Sequence, residues 1–190
     1  MSNKVRINID MFKTVTRAIS QSDNLDIMAS HLAQLIVTTL GMKGCAIFIL
    51  DPETKELDLL ASFGLTAKYL TKGSIRADKR FAANLEGKPF LIPDLSKDKN
   101  IQYPEEAIKE GIGSMLSVPI VFLNEVIGVL RLYHHKAANI SEQDLDSLCL
   151  LAEIIGLAMM YARLQNGMYS ISEVINVACP DCLLKELKKH

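Results

Sequence analysis

Apolar side chains recur at helical spacing through the first forty residues of the chain. One stripe runs at four-residue intervals through Ile7, Met11, Val15 and Ile19. A second stripe begins near Leu25 and ends near Leu40, with Ser22 or Asp23 as its N-cap and Gly41 as its stop. Because both patterns are amphipathic, we expect two helices that each bury one face.

Two apolar runs of strand-forming residues follow these helices. The run 45–50 (CAIFIL) and the segment 56–62 are separated by the turn sequence Asp51-Pro-Glu-Thr, which predicts a pair of strands. The next stretch, 64–112, is irregular, with short helices over 78–85 and 105–110 and a short strand over 89–92. Long irregular connections in compact domains are often functional.

The segments 114–122 and 126–134 predict a hairpin joined by Leu123-Asn124-Glu125. A three-residue loop pairs apolar residues on one face: Leu116 with Leu132, Val118 with Leu130 and Ile120 with Gly128. The other face then carries a mixed set: Met115, Ser117, Pro119, Val129, Arg131 and Tyr133. A two-residue loop would set Val118 beside Arg131, so the hydrophobic pattern favours the first register. We expect helices on the apolar face and the irregular segment on the mixed face.

The last apolar segment predicts a helix that begins after the capping sequence Ser141-Glu-Gln-Asp144 and ends near Gln165. Its apolar residues wrap around most of the helix, which indicates cover on more than one side. We expect the sheet to cover one side of this helix, and the first helical segment or a second copy of the chain to cover the other. Glu153 is expected at the exposed helix edge or in an ion pair across a dimer.

Composition narrows the class of protein. The 190 residues are 49% hydrophobic and 23% charged, with a net charge of −1, which disfavours nucleic acid and anionic membrane as partners. Four cysteines are too few for a secreted disulfide framework. The first ten residues lack the apolar run of a signal peptide, and the stretch 147–162 is shorter than a bilayer span. We therefore expect a cytoplasmic protein.

Four local sequences, taken in order along the chain, resemble the pattern of the GAF domain family: 92–94 (IPD), 110–119 (EGIGSMLSVP), 126–133 (VIGVLRLY) and 140–164. The resemblance implies an α+β fold related to PAS domains. In that fold a central antiparallel sheet carries the terminal helices on one face and a ligand pocket on the other. It also implies a regulatory role in signal transduction.

The expected organisation has three parts. Residues 1–22 form an N-terminal helix for dimerisation and signalling, residues 23–165 form the GAF domain, and residues 166–190 form an extension with a short helix. We expect a homodimer that relays the binding of a small molecule through its terminal helices. No nucleophile-and-base pattern or phosphate loop occurs in the sequence, so we expect no catalytic activity.

Known GAF chemistries can be compared with the sequence. Members that attach bilins, and members that reduce free methionine sulfoxide, use cysteines in the middle segment, whereas this chain has none between Cys45 and Cys149. Nor does the sequence show the Asn-Lys-Phe-Asp-Glu constellation of cyclic-nucleotide-binding members. The resemblance therefore leaves the ligand and any cofactor unidentified.

The mixed face supplies a candidate binding site. Arg131, Ser117 and Tyr133 converge there, and a guanidinium with two hydroxyls can hold a carboxylate or phosphate in an apolar cavity. The expected apolar walls are Phe81, Phe90, Ile92, Ile101, Tyr103 and Met115. The alternative is a solvated or ion-paired arginine at the sheet margin, in a purely structural dimerisation scaffold.

A second candidate site is Cys179-Pro-Asp-Cys182 near the end of the chain. A CxxC pair can be half of a zinc site completed by a second copy, or a redox pair, and His190 is one further ligand. The alternative is a turn into a short terminal helix. Cys45 and Cys149 lie in apolar stretches and are expected to be core thiols.

Overall fold

A central antiparallel sheet organises the computed structural model, which describes residues 9–21, 24–73, 79–98 and 103–178, with the side chains of 79–81 and 176–178 excepted. The described residues form five strands in the order β2-β1-β5-β4-β3. The strands are β1 (Gly44–Leu50), β2 (Leu57–Phe63), β3 (Phe90–Ile92), β4 (Ser114–Phe122) and β5 (Glu125–His134). Each predicted strand is confirmed to within one residue at either end.

Six α-helices surround the sheet in the described part of the chain. They are α1 (Ile9–Ser20), α2 (Leu25–Leu40), α3 (Ala67–Leu70), α4 (Lys79–Leu85), α5 (Pro104–Lys109) and α6 (Glu142–Ala178), with a short 3-10 helix at Leu95–Lys97. The predicted helices within the described residues are confirmed, but α6 continues well past Gln165, so its predicted end is wrong. The short helix predicted near the end of the chain lies outside the described residues. The expected boundary at residue 165 falls inside this continuous helix.

Helix α2 is fixed at both ends by its own sequence. Asn24 is its N-cap, and the Oδ1 atom of Asn24 accepts a hydrogen bond of 3.0 Å from the Ile27 amide. The predicted caps Ser22 and Asp23 lie outside the described residues. Gly41 ends the helix as predicted, with a left-handed φ of 63° and its amide donating to the Val37 carbonyl.

The β4–β5 hairpin has the predicted register but not the predicted loop. Val118 lies opposite Leu130 and Ser117 lies opposite Arg131, as expected. Because β5 begins at Glu125, however, the loop contains only Leu123 and Asn124. Both residues have a positive φ. A register shift after Ile120 leaves Ile127 as an extra residue in β5. This bulge restores the pairing that a two-residue loop alone would have displaced.

The apolar face of the sheet, called the back face here, lies under three helices. Leu116, Val118, Leu130 and Leu132 form one buried core with Met11 and Val15 of α1, Leu32 and Ile36 of α2, and Leu148 and Ile155 of α6. This confirms the predicted division between the two faces. Helix α1 of the same chain therefore supplies part of the second cover that α6 needs.

Helix α6 is buried along its first half and exposed along its second. Leu148, Leu151, Ile155 and Met159 are at most 1% exposed, whereas every described side chain from 163 to 175 apart from the half-buried Gln165 is exposed. Glu153 lies at the exposed helix edge, one of its two expected positions. By length and composition α6 is the one described helix that could cross a membrane, but 44% of its apolar stretch is buried in the fold.

Candidate functional site

The mixed face of the sheet, called the front face here, brings most of the predicted site residues together. Cross-strand pairing aligns Ile92 with Met115 and Tyr133, and aligns Phe90 with Ser117 and Arg131. Directly paired residues in a sheet project from the same face. The pairing therefore places all six of these side chains on the front face, as the sequence predicted.

Arg131 lies near the middle of the front face and is only 8% exposed. Its guanidinium carbon lies 5.6 Å from the centroid of the Phe48 ring, on the neighbouring strand. The Nε atom is buried and has no hydrogen-bond partner among the described residues. A buried donor without a partner is costly for a protein to retain, so this atom is a natural anchor for an acceptor.

Two tyrosines stand beside Arg131. The rings of Tyr69 and Tyr133 pack edge to face with centroids 5.8 Å apart. Burial raises the pKa of Tyr133, and the charge of Arg131 opposes this effect. Burial also raises the pKa of Tyr69, again against the charge of Arg131. Both phenols therefore stay protonated at neutral pH. The hydroxyl of Tyr69 is hydrogen-bonded to Tyr133, which leaves the Tyr133 hydroxyl as the one that can donate to an anion.

Lys72 adds a second cation to the same group. Its Nζ atom lies 3.5 Å from the centroid of Tyr69 and 5.8 Å from that of Tyr103, and it donates a 2.8 Å hydrogen bond to the Tyr69 carbonyl. Desolvation and the nearby charge of Arg131 lower the pKa of Lys72 to about 8, while Glu106 and Glu110 act in the opposite direction. The lysine therefore titrates close to neutral pH.

A cavity of about 170 Å³ opens between the front face and the segment that carries Lys72. Its lining residues are Phe48, Leu57, Asp58, Leu59, Leu70, Lys72, Gly73 and Tyr133. Most of these residues are apolar, one lysine and one aspartate supply charge, and Arg131 is not among them. Such a mixture is typical of a small-molecule site, in which a few polar groups orient a ligand.

Ser117 makes its contacts away from this cavity. Its hydroxyl donates a 2.6 Å hydrogen bond to the Oδ1 atom of Asn84, and both residues are fully buried. The Nδ2 atom of Asn84 donates in turn to the Lys88 carbonyl at 2.9 Å. Ser117 thus joins α4 to β4, and its hydroxyl proton is already committed.

The other predicted wall residues divide into three groups. Phe90, Ile92 and Met115 pack in the front-face core beside Tyr133 but are not among the residues that line the cavity. Tyr103 lies beside the cavity, because a Cβ atom added to Gly73 would meet its hydroxyl at 2.5 Å. Ile101 and the side chain of Phe81 lie outside the described residues.

Sequence reasoning missed Phe48, Tyr69 and Lys72. The alternation of side chains along β1 could have identified Phe48, since it places Ala46, Phe48 and Leu50 on the front face. No comparable signal marked Tyr69 and Lys72, which lie in the irregular segment. Their position depends on contacts with a distant part of the chain.

One such contact involves the carboxylate of Glu110. It accepts a 2.9 Å hydrogen bond from the Thr66 amide and a 3.2 Å one from Lys43, and its side chain is 4% exposed. Although desolvation raises the pKa of Glu110, these hydrogen bonds hold it below its ordinary value. Because Thr66 caps α3, Glu110 fixes the helix that presents Tyr69.

Among the described residues, no three His, Cys, Asp or Glu side chains lie close enough together to hold a metal ion. Cys45 is fully buried, and burial raises the pKa of its thiol; Cys149 is half-buried, with its pKa raised by desolvation and by Asp146 and Glu153. Cys45 is the predicted core thiol, while Cys149 packs only partly against the core. Cys179, Cys182 and His190 lie outside the described residues.

Comparison with known proteins supports the fold. A family model described as GAF domain matches residues 22–160. The structure is similar to the GAF domain of a phosphoenolpyruvate-protein phosphotransferase from Coxiella burnetii, with a TM-score of 0.73 and 19% identity over 84% of this chain and 96% of that one. No curated protein matched the sequence.

Two further structures show what this fold holds elsewhere. One is free methionine-R-sulfoxide reductase from Neisseria meningitidis with its substrate, at a TM-score of 0.68 and 16% identity over 84% of this chain and 95% of that one. The other is the phycoerythrobilin-bound GAF domain of a cyanobacterial phytochrome. Its TM-score is 0.66 and its identity is 17%, over 85% of this chain and 100% of that one. These identities establish the fold alone. Since the family model covers most of the sequence, the chain belongs to the GAF domain family.

Proposed function

We propose that this chain is a regulatory sensor module that binds a small anion in its front-face cavity. The observation that carries the proposal is the buried Arg131, whose Nε atom has no hydrogen-bond partner among the described residues. Arg131 does not itself line the cavity, but its front-face neighbours Phe48 and Tyr133 do. A carboxylate or phosphate is the ligand that satisfies a guanidinium most completely. The GAF fold supports a sensor role, because homologous domains are generally regulatory and bind small molecules.

The lining itself balances one lysine, Lys72, against one aspartate, Asp58, and the nearby charge of Arg131 tips the balance toward an anion. Arg131 is near enough to Lys72 for its charge to lower the pKa of the lysine, and the two tyrosines beside these cations stay protonated. A bound anion would offset the mutual repulsion of the two cations. It would also raise the pKa of Lys72 back toward its ordinary value.

The signal would pass from the sheet to the terminal helices of a homodimer. The front-face residues Arg131 and Tyr133 alternate along β5 with Leu130 and Leu132, which pack in the back-face core beneath α6. A ligand that binds two conformations of the domain unequally would shift their populations and move the helices. The chain would then act without catalysis, as a cytoplasmic regulatory module.

Thermal unfolding in added anions tests this function. Inorganic phosphate and succinate, matched for ionic strength with chloride, should raise the unfolding midpoint of the wild-type protein. Arg131→Met should lose this response, whereas the exposed control Arg17→Met should keep it.

Native mass spectrometry of gently purified protein extends the test to ligands retained from the cell. A retained anionic molecule that Arg131→Met does not retain would support the function. Midpoints that stay unchanged in both anions, together with protein that carries no ligand, would favour the structural scaffold instead.

A further inference from the structure

The second half of α6 carries an uncovered apolar seam with the spacing of a coiled coil. Apolar residues alternate at intervals of four and three over almost the whole helix: Leu150, Ile154, Leu157, Tyr161, Leu164, Met168, Ile171, Ile175 and Ala178. Of these, the seven from Leu150 to Ile175 other than Ile154 are between 46% and 72% exposed. We call this set the α6 seam.

We propose that the α6 seam binds the same seam of a second copy of this chain, as a parallel two-stranded coiled coil. The average spacing of the seam is about 3.5 residues, the repeat that keeps a stripe facing its partner along a supercoil. Nothing in the described part of the chain covers the seven exposed residues of the seam. Because the stripe repeats identically, a second copy is complementary to it.

The residues at alternate seam positions favour two parallel strands. In heptad terms, two of the four a positions are Ile and three of the five d positions are Leu. The a positions are Ile154, Tyr161, Met168 and Ile175, and the d positions are Leu150, Leu157, Leu164, Ile171 and Ala178. Ile at a with Leu at d is the combination that favours parallel dimers. Pairing the exposed seam would bury on the order of 1,500 Å² in total, within the range of about 1,200–2,000 Å² for stable interfaces.

The seam is too narrow to be the surface of a membrane-spanning helix. The residues between its members over 163–173 are largely polar: Arg163, Gln165, Asn166, Ser170, Ser172 and Glu173. All of them are exposed in the fold except Gln165, which is partly buried. A bilayer core would leave these groups without water, whereas a coiled coil leaves them at its outer surface.

The seam also lies directly behind residues that contact the sheet. Leu151, Ile155 and Met159 are buried on the sheet side of α6, next to Leu150, Ile154 and Leu157 of the seam. This inference supplies the dimer contact on which the relay in the proposed function rests, but its observations all lie on α6. Failure of anion binding would leave it standing, and a monomer would leave the anion site standing.

Two adjacent side chains provide a matched test by sedimentation velocity. Met168 belongs to the seam and is 72% exposed, whereas its neighbour Tyr169 lies off the seam and is 67% exposed. Wild-type protein and Tyr169→Asp should both be dimers, and Met168→Asp should weaken the dimer by more than about 100-fold, because it places two carboxylates in an apolar interface. Circular dichroism should show all three proteins folded.

Disulfide trapping then tests the orientation. Leu157→Cys and Met168→Cys are made separately, with Cys149, Cys179 and Cys182 replaced by Ser. In a parallel coil each variant cross-links to itself, because identical residues face each other within disulfide distance. An antiparallel coil brings at most one of the two positions to its own copy.

In solution, three results would overturn the inference. They are a wild-type monomer at 100 µM, a Met168→Asp dimer as stable as wild type, and a failure to self-cross-link at either or both of the two positions. Flotation with vesicles of phosphatidylcholine and phosphatidylglycerol covers the membrane alternative. Binding of the wild type to these vesicles, lost in Met168→Asp, would also overturn it.

Discussion

The guanidinium of Arg131 stacks over the ring of Phe48 at 5.6 Å, from the adjacent strand. Nothing in the described part of the chain accepts a hydrogen bond from the buried Nε atom. The aromatic ring and a side-chain hydrogen bond with Tyr133 offset only part of the cost of burying this charge. The domain therefore carries a destabilising group on the face that holds its cavity, as is common at binding sites.

This relationship predicts that Arg131→Met stabilises the ligand-free protein or leaves it unchanged. Replacement of a buried, poorly satisfied charge by an apolar side chain of similar length is often neutral or stabilising by about 1–4 kcal/mol. Urea unfolding of ligand-free wild type and variant measures the difference. A loss of more than about 1 kcal/mol would identify Arg131 as a structural contact rather than a binding group.

The stability of the protein should depend on the protonation of Lys72. Its pKa is about 8 in the fold against an ordinary 10.5, so between these values the unfolded chain binds more protons than the folded one. The free energy of unfolding contributed by Lys72 therefore rises as the pH rises from about 8. Below pH 8 both states are protonated, and this contribution no longer changes.

The measurement compares wild type with Lys72→Met between pH 7 and 10. The advantage of the wild type over the variant should grow with pH, since the buried thiol of Cys45 and the two tyrosines titrate in both proteins and cancel. Lys68→Met, at an exposed position on α3, should show no such growth. A difference between wild type and Lys72→Met that is flat across this range would contradict the lowered pKa.

The front face could be predicted because strand alternation is a local property. Once Leu116 and Val118 were assigned to the core, Ser117 and Arg131 followed on the opposite face. Lys72 could not be predicted in this way. Its segment is held by Thr66 and Glu110, which lie 44 residues apart in the chain, and no periodicity records that contact.

The end of α6 was misplaced for a related physical reason. The residues that face the sheet stop near Ala162, and the apolar pattern of a core helix stops with them. Beyond that residue the exposed apolar side chains belong mainly to the seam, with Tyr169 and Val174 outside it. The 3.5-residue spacing of the seam differs from the broad apolar face used to trace the helix. The seam therefore explains why the end of α6 was predicted too early, and it is the feature on which we propose a second copy of the chain as partner.

The hairpin loop offers a simple gain in stability. Leu123 has a φ of 50° and is 81% exposed, so an apolar residue occupies a backbone conformation that favours Asn or Gly. Leu123→Asn should stabilise the fold by about 0.5–1 kcal/mol, because Asn tolerates the left-handed region better. Thermal unfolding measures the change.

Ile108→Asn is the matched control for that substitution. Ile108 is 64% exposed, but it lies on α5 and has an ordinary backbone conformation. The substitution Ile108→Asn removes a similar apolar surface without relieving backbone strain, so it should not increase stability. An equal gain in both variants would show that exposed apolar area, rather than the positive φ, limits stability.

Glu110 should be the main acid-sensitive contact that holds the Lys72 segment. Glu110→Gln leaves a neutral acceptor for Thr66 and Lys43, and we expect a loss of about 1–2 kcal/mol at pH 7. Because hydrogen bonding holds the folded pKa below the ordinary 4.5, the stabilisation is complete above that value and is lost as the pH falls through the folded pKa.

Urea unfolding at pH 7 and at lower pH should therefore show that the difference in stability between wild type and Glu110→Gln becomes smaller toward acid. Glu105→Gln, whose carboxylate pairs with Lys109 at the surface, should change stability little at either pH. A gap that stays constant with pH would mean that the shape of the Glu110 side chain, rather than its charge, holds α3 in place.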